Sequence, residues 1–155
     1  MPRTDMETIE IGAVEWPSGE EFQAFIRPVV ESELSEFCRS LTSIKQSDVD
    51  KAETFPSVFR AFLDWIGDEE PFTFCSWGEY DRLQFQQDCA RHSFPWPTAL
   101  DNHINLKKLF AEHMGVKPCG MASALRQSGL PLIGQHHRGI DDARNIAAIL
   151  TCILT

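Results

Sequence analysis

The residues best suited to chemistry lie near the end of the chain, in His137-Arg138-Gly139-Ile140-Asp141-Asp142-Ala143-Arg144-Asn145, where a histidine precedes an aspartate by five positions at the mouth of a helix. An imidazole with an ordinary pKa near ~6.5 takes a proton from water at neutral pH, and a carboxylate is a natural ligand for a hard cation such as Mg²⁺. The pair suggests metal-assisted hydrolysis, with His137 as base and Asp142 as metal ligand. The plainer alternative is a polar loop histidine followed by a helix-capping aspartate. A second polar cluster, Trp77-Gly78-Glu79-Tyr80-Asp81, follows the apolar run Pro71-Phe72-Thr73-Phe74-Cys75-Ser76. Catalytic groups gather at the carboxyl ends of strands in open α/β sheets, so Asp81 is a second candidate metal carboxylate, with a helix cap as the alternative. Trp77 could stack on a terminal base or could equally pack in the core.

These groups need elements to position them. Ile9 to Trp16 alternates and is rich in β-formers, Pro17-Ser18-Gly19 breaks it, and Phe22 to Pro28 follows, which reads as a β-hairpin. Short helices are expected around Glu33 to Arg39 and Gln46 to Lys51, with Ser35 and Ser47 as caps. Phe55, Val58, Phe59, Phe62, Leu63 and Ile66 recur at helical spacing between Thr54 and Gly67, so that aromatic stripe is a packing face. A strand over Pro71 to Ser76, a helix over Arg82 to His92 and a strand around Asp101 to Ile104 come next. Helices over Leu106 to His113, Met121 to Gln127 and Asp141 to Leu154 complete the order, the last with Asp142 in its first turn.

A chain of 155 residues, 43% hydrophobic, suits one globular domain over 1–155. Neither a span of ~20 apolar residues nor a leader at Met1-Pro2-Arg3-Thr4-Asp5 is found, so a cytoplasmic location is expected. Cys38, Cys75, Cys89, Cys119 and Cys152 are scattered and form no C-x-x-C pair, against a disulfide framework or a zinc ribbon. The five histidines include no H-x-x-x-H pair, and adjacent His136 and His137 do not readily face one metal together. With Lys plus Arg at 14 and Asp plus Glu at 23, the formal charge of −9 argues against gripping long nucleic acid by global electrostatics. Recognition of a short end remains open, with Lys107, Lys108, Arg126, Arg138 and Arg144 as candidate contacts or solvated surface charges. No G-x-x-x-x-G-K-[ST] loop and no G-x-S-x-G elbow occur, which excludes a P-loop NTPase and gives no sign of a serine hydrolase.

Five blocks then appear in a telling order: Ile9 to Val14, Phe25-Ile26-Arg27-Pro28 with Leu34 to Cys38 and Leu41 to Ile44, Thr54-Phe55-Pro56, Trp77 to Asp81, and His137 to Ile146. This order resembles the DEDDh 3′–5′ exonucleases, in the branch similar to the histone-mRNA 3′ exonuclease and its bacterial relatives. The resemblance implies an α/β, ribonuclease-H-like fold, a mixed sheet flanked by helices. It implies hydrolysis from a free 3′ end, on RNA or single strands, with two Mg²⁺ or Mn²⁺ ions. Carried over position by position, Asp81 and Asp142 become metal ligands and His137 the general base, while Asp141 becomes a capping or supporting residue.

One motif departs from the family. Its D-x-E pair sits on a first strand ahead of the segment that here reads Ile9 to Val14, whereas Asp5-Met6-Glu7 runs straight into Ile9 and is read as a chance match. The expectation is a domain lacking its first strand and two metal-binding carboxylates, either truncated at its N-terminus or continued by an upstream segment. The exposed edge of the Ile9–Trp16 strand then invites pairing with another chain, such as a homodimer. Two functions of different class follow: a metal-dependent exonuclease, or an inactive pseudo-nuclease that binds nucleic acid or protein. Hydrolysis of a smaller phosphoester by the same carboxylates is a third.

Overall fold

The computed structural model describes residues 3–155, so Met1 and Pro2 of the N-terminal stretch read for a leader lie outside the described residues. The hairpin forms as β1 (Glu10–Val14) and β2 (Glu21–Phe25), antiparallel, with Gly12 opposite Gln23. Two short helices follow, α1 (Glu36–Thr42) and α2 (Gln46–Asp50). Ser35 caps α1 by accepting from the Cys38 amide at 3.0 Å, whereas Ser47 lies within α2 and Lys45 precedes it.

Helix α3 (Phe55–Ile66) has Thr54 at its N-cap and Pro56 in its first turn, and it ends at Gly67, whose positive φ of 76° suits glycine. Its Phe55, Val58, Phe59 and Phe62 are buried, with Phe55 and Phe59 stacked at 4.8 Å. The aromatic stripe is packing, as its spacing suggests. Strand β3 (Phe74–Ser76) leads into α4 (Tyr80–Arg91), and a 3₁₀ turn at Thr98–Asp101 leads into β4 (His103–Asn105). Helices α5 (Leu106–Met114), α6 (Met121–Gln127) and α7 (Gly139–Leu154) close the order.

The expected mixed sheet is divided. β1 pairs only with β2, and β3 pairs parallel with β4, so the described strands form two separate two-stranded sheets. The Ile26 amide bonds the Ile9 carbonyl and the Glu15 amide bonds the Glu20 carbonyl, so odd-numbered β1 residues face β2. By alternation, Glu10, Gly12 and Val14 direct their N–H and C=O groups away from it, along an edge with no second strand.

The two sheets share their covering layers. Ile11 of β1 and Phe74 of β3 pack in one core with Phe59, Phe62 and Phe85 from α3 and α4. On the other face α7 lies across β1, while its Ile149 packs with Cys75 and Trp77 beside Leu106, Phe110 and Leu125.

Candidate active site

Helix α7 presents Asp142, and its start is fixed from β1. Arg138 occupies the N-cap without making a side-chain capping bond, and the Glu10 carboxylate caps the helix, accepting from the Gly139 amide at 2.6 Å. The same carboxylate takes two bonds from the Arg138 guanidinium at 3.2 Å each and one from Gln23 at 2.9 Å. Glu10's side chain is 3% exposed, so this is a nearly buried, fully partnered charge. Close approach requires Gly12: a Cβ there would meet the Ile140 amide nitrogen at 2.2 Å and Gly139 at 2.4 Å. Sequence reasoning read Glu10 only as part of a strand, because nothing local marks a strand residue as the cap of a helix 129 positions later.

The loop ahead of α7 is clamped by fully buried Asn145, which accepts from the Ile133 amide at 2.8 Å and donates to its carbonyl at 3.1 Å. Asp141 accepts from the Gln135 amide and from Arg144, each at 2.9 Å, which is the supporting role expected of it. Asp142 accepts from the His137 backbone amide at 3.2 Å, and its Oδ1 lies 3.1 Å from His136 Nδ1. The imidazole touching Asp142 is thus that of His136, a residue the sequence reading gave no role. His137 is exposed, holds a positive φ of 75°, and places its ring 3.9 Å from that of His136. All three residues lie at one point on the surface.

Asp81 sits in the first turn of α4, just past the carboxyl end of β3. Burial, and then the facing charge of Asp142, push its carboxyl up to about 6. The residue as a whole meets solvent, so water screens part of both effects. The fold therefore brings Asp81 within electrostatic reach of Asp142, 61 positions away, and the two negative charges oppose each other. Hard oxygen donors facing one another in this way suit a divalent cation, which removes the repulsion. Among the described residues no group of three His, Cys, Asp or Glu side chains converges as a ready metal cluster. The donor set fits one cation in part and does not by itself complete a two-ion site.

Trp77 is committed elsewhere. Its ring packs with Phe110 at 6.0 Å between centroids, and Nε1 donates to the Cys119 carbonyl at 3.2 Å, so the packed alternative describes it better than base stacking. Tyr80, next to Asp81 at the start of α4, is 49% exposed. Asp5-Met6-Glu7 is engaged away from Asp81 and Asp142. Glu7 accepts from the Val29 and Val30 amides at 2.8 and 2.9 Å, and Asp5 pairs with Arg3. The Met6 carbonyl and Thr8 are held by Gln84, Gln87, Asp88 and Arg91, down α4 from Asp81. The seven steps from Asp81 to Asp88 rise roughly 10 Å along the helix. Of the candidate cations, Arg138 is engaged by Glu10 and Arg144 by Glu21 and Asp141.

Two aspartates within electrostatic reach of each other, one just past a strand's carboxyl end and one at a helix start beside two histidines, make an acidic site in a mixed α/β fold. The particular family follows from sequence: the model of the exonuclease family RNase_T matches residues 3–150, and the chain belongs to that family. It is 31% identical over 141 residues to human "3'-5' exoribonuclease 1", covering 86% of this chain and 40% of that protein. It is 26% identical over 148 residues to the "3'-5' exonuclease Snipper" of Drosophila melanogaster, covering 84% of this chain and 53% of that protein. The chain thus spans about 40–53% of the length of these curated relatives.

Among solved structures, the nuclease domain of 3'hExo, described as a DEDDh family member bound to rAMP, matches with a TM-score of 0.83 at 25% identity. That match covers 97% of this chain and 94% of the other. Cell-death related nuclease 4 (CRN-4) matches with a TM-score of 0.81 at 28% identity, over 94% of this chain and 55% of the other. The ribonuclease-H-like architecture and the DEDDh resemblance read from the motifs are both shown.

Proposed function

We propose that this chain carries the nuclease centre of a metal-dependent 3′–5′ exonuclease acting on RNA or other single strands with a free 3′ end. The observation that supports this reading is that Asp81 feels the charge of Asp142, which accepts from the His137 amide, in a domain of the exonuclease family. Asp81 and Asp142 would hold the cation. A bound Mg²⁺ or Mn²⁺ supplies charge neutralisation for the attacked phosphate and its leaving oxygen. His137, exposed beside Asp142, takes the proton of the attacking water. Tyr80 offers the terminal base a ring to stack on, in the role first considered for Trp77.

RNA is favoured over DNA by the name of the human relative, an exoribonuclease. The pseudo-nuclease alternative draws on the incomplete donor set, and the relatives' names, exonucleases all, speak against it. Homodimer formation is supported only by the unpaired β1 edge. The test is end-labelled single-stranded RNA and DNA incubated with Mg²⁺ or Mn²⁺ against EDTA. Metal-dependent shortening from the 3′ end is expected; retained binding with intact substrate under every metal condition would overturn the enzyme reading in favour of the binding module.

A further inference from the structure

We propose that His103, acting through Ser76, is a positioning residue for the Trp77–Tyr80 turn that presents Asp81, and that its charge state switches a hydrogen bond inside that turn. Three side chains far apart in sequence form a short chain of contacts. Ser76 Oγ lies 2.7 Å from His103 Nε2, and His103 Nδ1 lies 3.1 Å from Glu79 Oε2. Ser76 also donates to the Gly78 carbonyl at 2.9 Å. Ser76 is 2% exposed and the His103 side chain 5%, so solvent does not substitute for either partner.

The donors and acceptors cannot all be satisfied at once. A carboxylate only accepts, so the bond to Glu79 keeps the proton on Nδ1 in both charge states of His103. When His103 is neutral, Nε2 carries a lone pair and competes with the Gly78 carbonyl for the single hydroxyl proton of Ser76. When His103 is protonated, Nε2 donates to Ser76 Oγ and the hydroxyl proton goes to Gly78. Protonation at His103 is thereby transmitted to the backbone of a turn whose Gly78 holds a positive φ of 94° and which leads into α4, where Asp81 is the second residue.

The groups facing His103 from each packed element are few. β3 contributes Ser76 and the Phe74 ring, at 5.0 Å between centroids. The start of α4 contributes Glu79 and Arg82, whose Nε is buried without a hydrogen-bond partner and lies 3.8 Å from Glu79. Asn105 and, on α5, Lys108 and Glu112 line the adjoining cavity. Burial first, opposed by Glu79 and aided by Arg82, lowers the His103 pKa. The imidazole is accordingly neutral at neutral pH.

The switch itself is independent of catalysis, while its effect on turnover rests on the exonuclease reading, so the test has two arms. In the full chain, the His103 ring ¹⁵N shifts and the Gly78 carbonyl ¹³C shift are followed by NMR from about pH 8 to about pH 5. Both are expected to move with one midpoint in the wild type and in Ser76→Thr, which keeps the hydroxyl. In Ser76→Ala, His103 still titrates and the Gly78 shift no longer shares its midpoint. A Gly78 shift that ignores His103 in the wild type, or that still follows it in Ser76→Ala, overturns the proposal. In the second arm, the acid limb of log kcat against pH loses one proton's worth of slope in His103→Phe. An unchanged slope overturns the effect on turnover. If the chain degrades no RNA, the exonuclease reading fails alone and the NMR arm still decides the switch.

Discussion

Asp81 is ionised against its surroundings, because desolvation and the Asp142 charge both favour its neutral form. Its pKa is raised from the ordinary carboxylate value of about 3.9 toward about 6 in the folded protein. The stability it contributes is therefore full below the unfolded value and is lost as pH rises through the folded one. Asp81→Asn should raise the melting temperature in EDTA at about pH 8 while removing metal-dependent activity, with thermal scans and the RNA assay as the checks. In the wild type, Mn²⁺ affinity measured by calorimetry should fall as pH drops through about 6, where a proton competes with the cation. His137→Ala tests the base. Loss of about 10²–10⁴-fold in kcat with substrate binding retained is expected, and full activity would remove His137 from this role.

At the scale of elements, the position of α7 on β1 decides where Asp142 and the histidines stand. A methyl group at position 12 would penetrate the α7 backbone near Ile140, and no flexible side-chain end is there to give way. Gly12→Ala should cost about 1–3 kcal/mol, a fall of roughly 2–12 °C in melting temperature, and should lower activity through displacement of α7. Glu10→Ala leaves the Arg138 guanidinium and the Gly139 amide without their acceptor. Breaking a buried pair costs about 3–5 kcal/mol; with Arg138's side chain 24% exposed, the lower end or less is expected in urea denaturation. A reduced melting temperature with normal metal affinity in Glu10→Ala would show that the cap does not orient the site.

For the molecule as a whole, the divided sheet matters most. Parallel β3 and β4 and antiparallel β1 and β2 share two covering layers without a ladder between them, and the β1 edge keeps backbone groups available for pairing. Association through that edge should depend on concentration in sedimentation velocity. Val14→Pro should abolish it, since the Val14 amide faces away from β2 and the hairpin keeps its own bonds. Association unchanged in Val14→Pro would place any contact elsewhere. The net charge of −9 adds long-range repulsion of nucleic acid, so tight binding of a 3′ end should require the divalent cation as well as local contacts.

Local rules were enough for much of this protein. The period of the apolar residues between Thr54 and Gly67 marks α3, the alternation in Ile9 to Trp16 marks the hairpin, and the five-residue spacing from His137 to Asp142 marks a helix mouth with a base and a carboxylate. These are properties of neighbours along the chain, and backbone geometry converts them directly into structure. Only the tertiary arrangement set Asp81 against Asp142, joined Ser76 to His103, put His136 on Asp142 and made Glu10 the cap of α7. It also packed Trp77 beside Phe110 and left Tyr80 open to solvent. Such contacts join segments that sequence order keeps apart, and they depend on how sheets and helices pack in three dimensions, which no local pattern of side chains encodes.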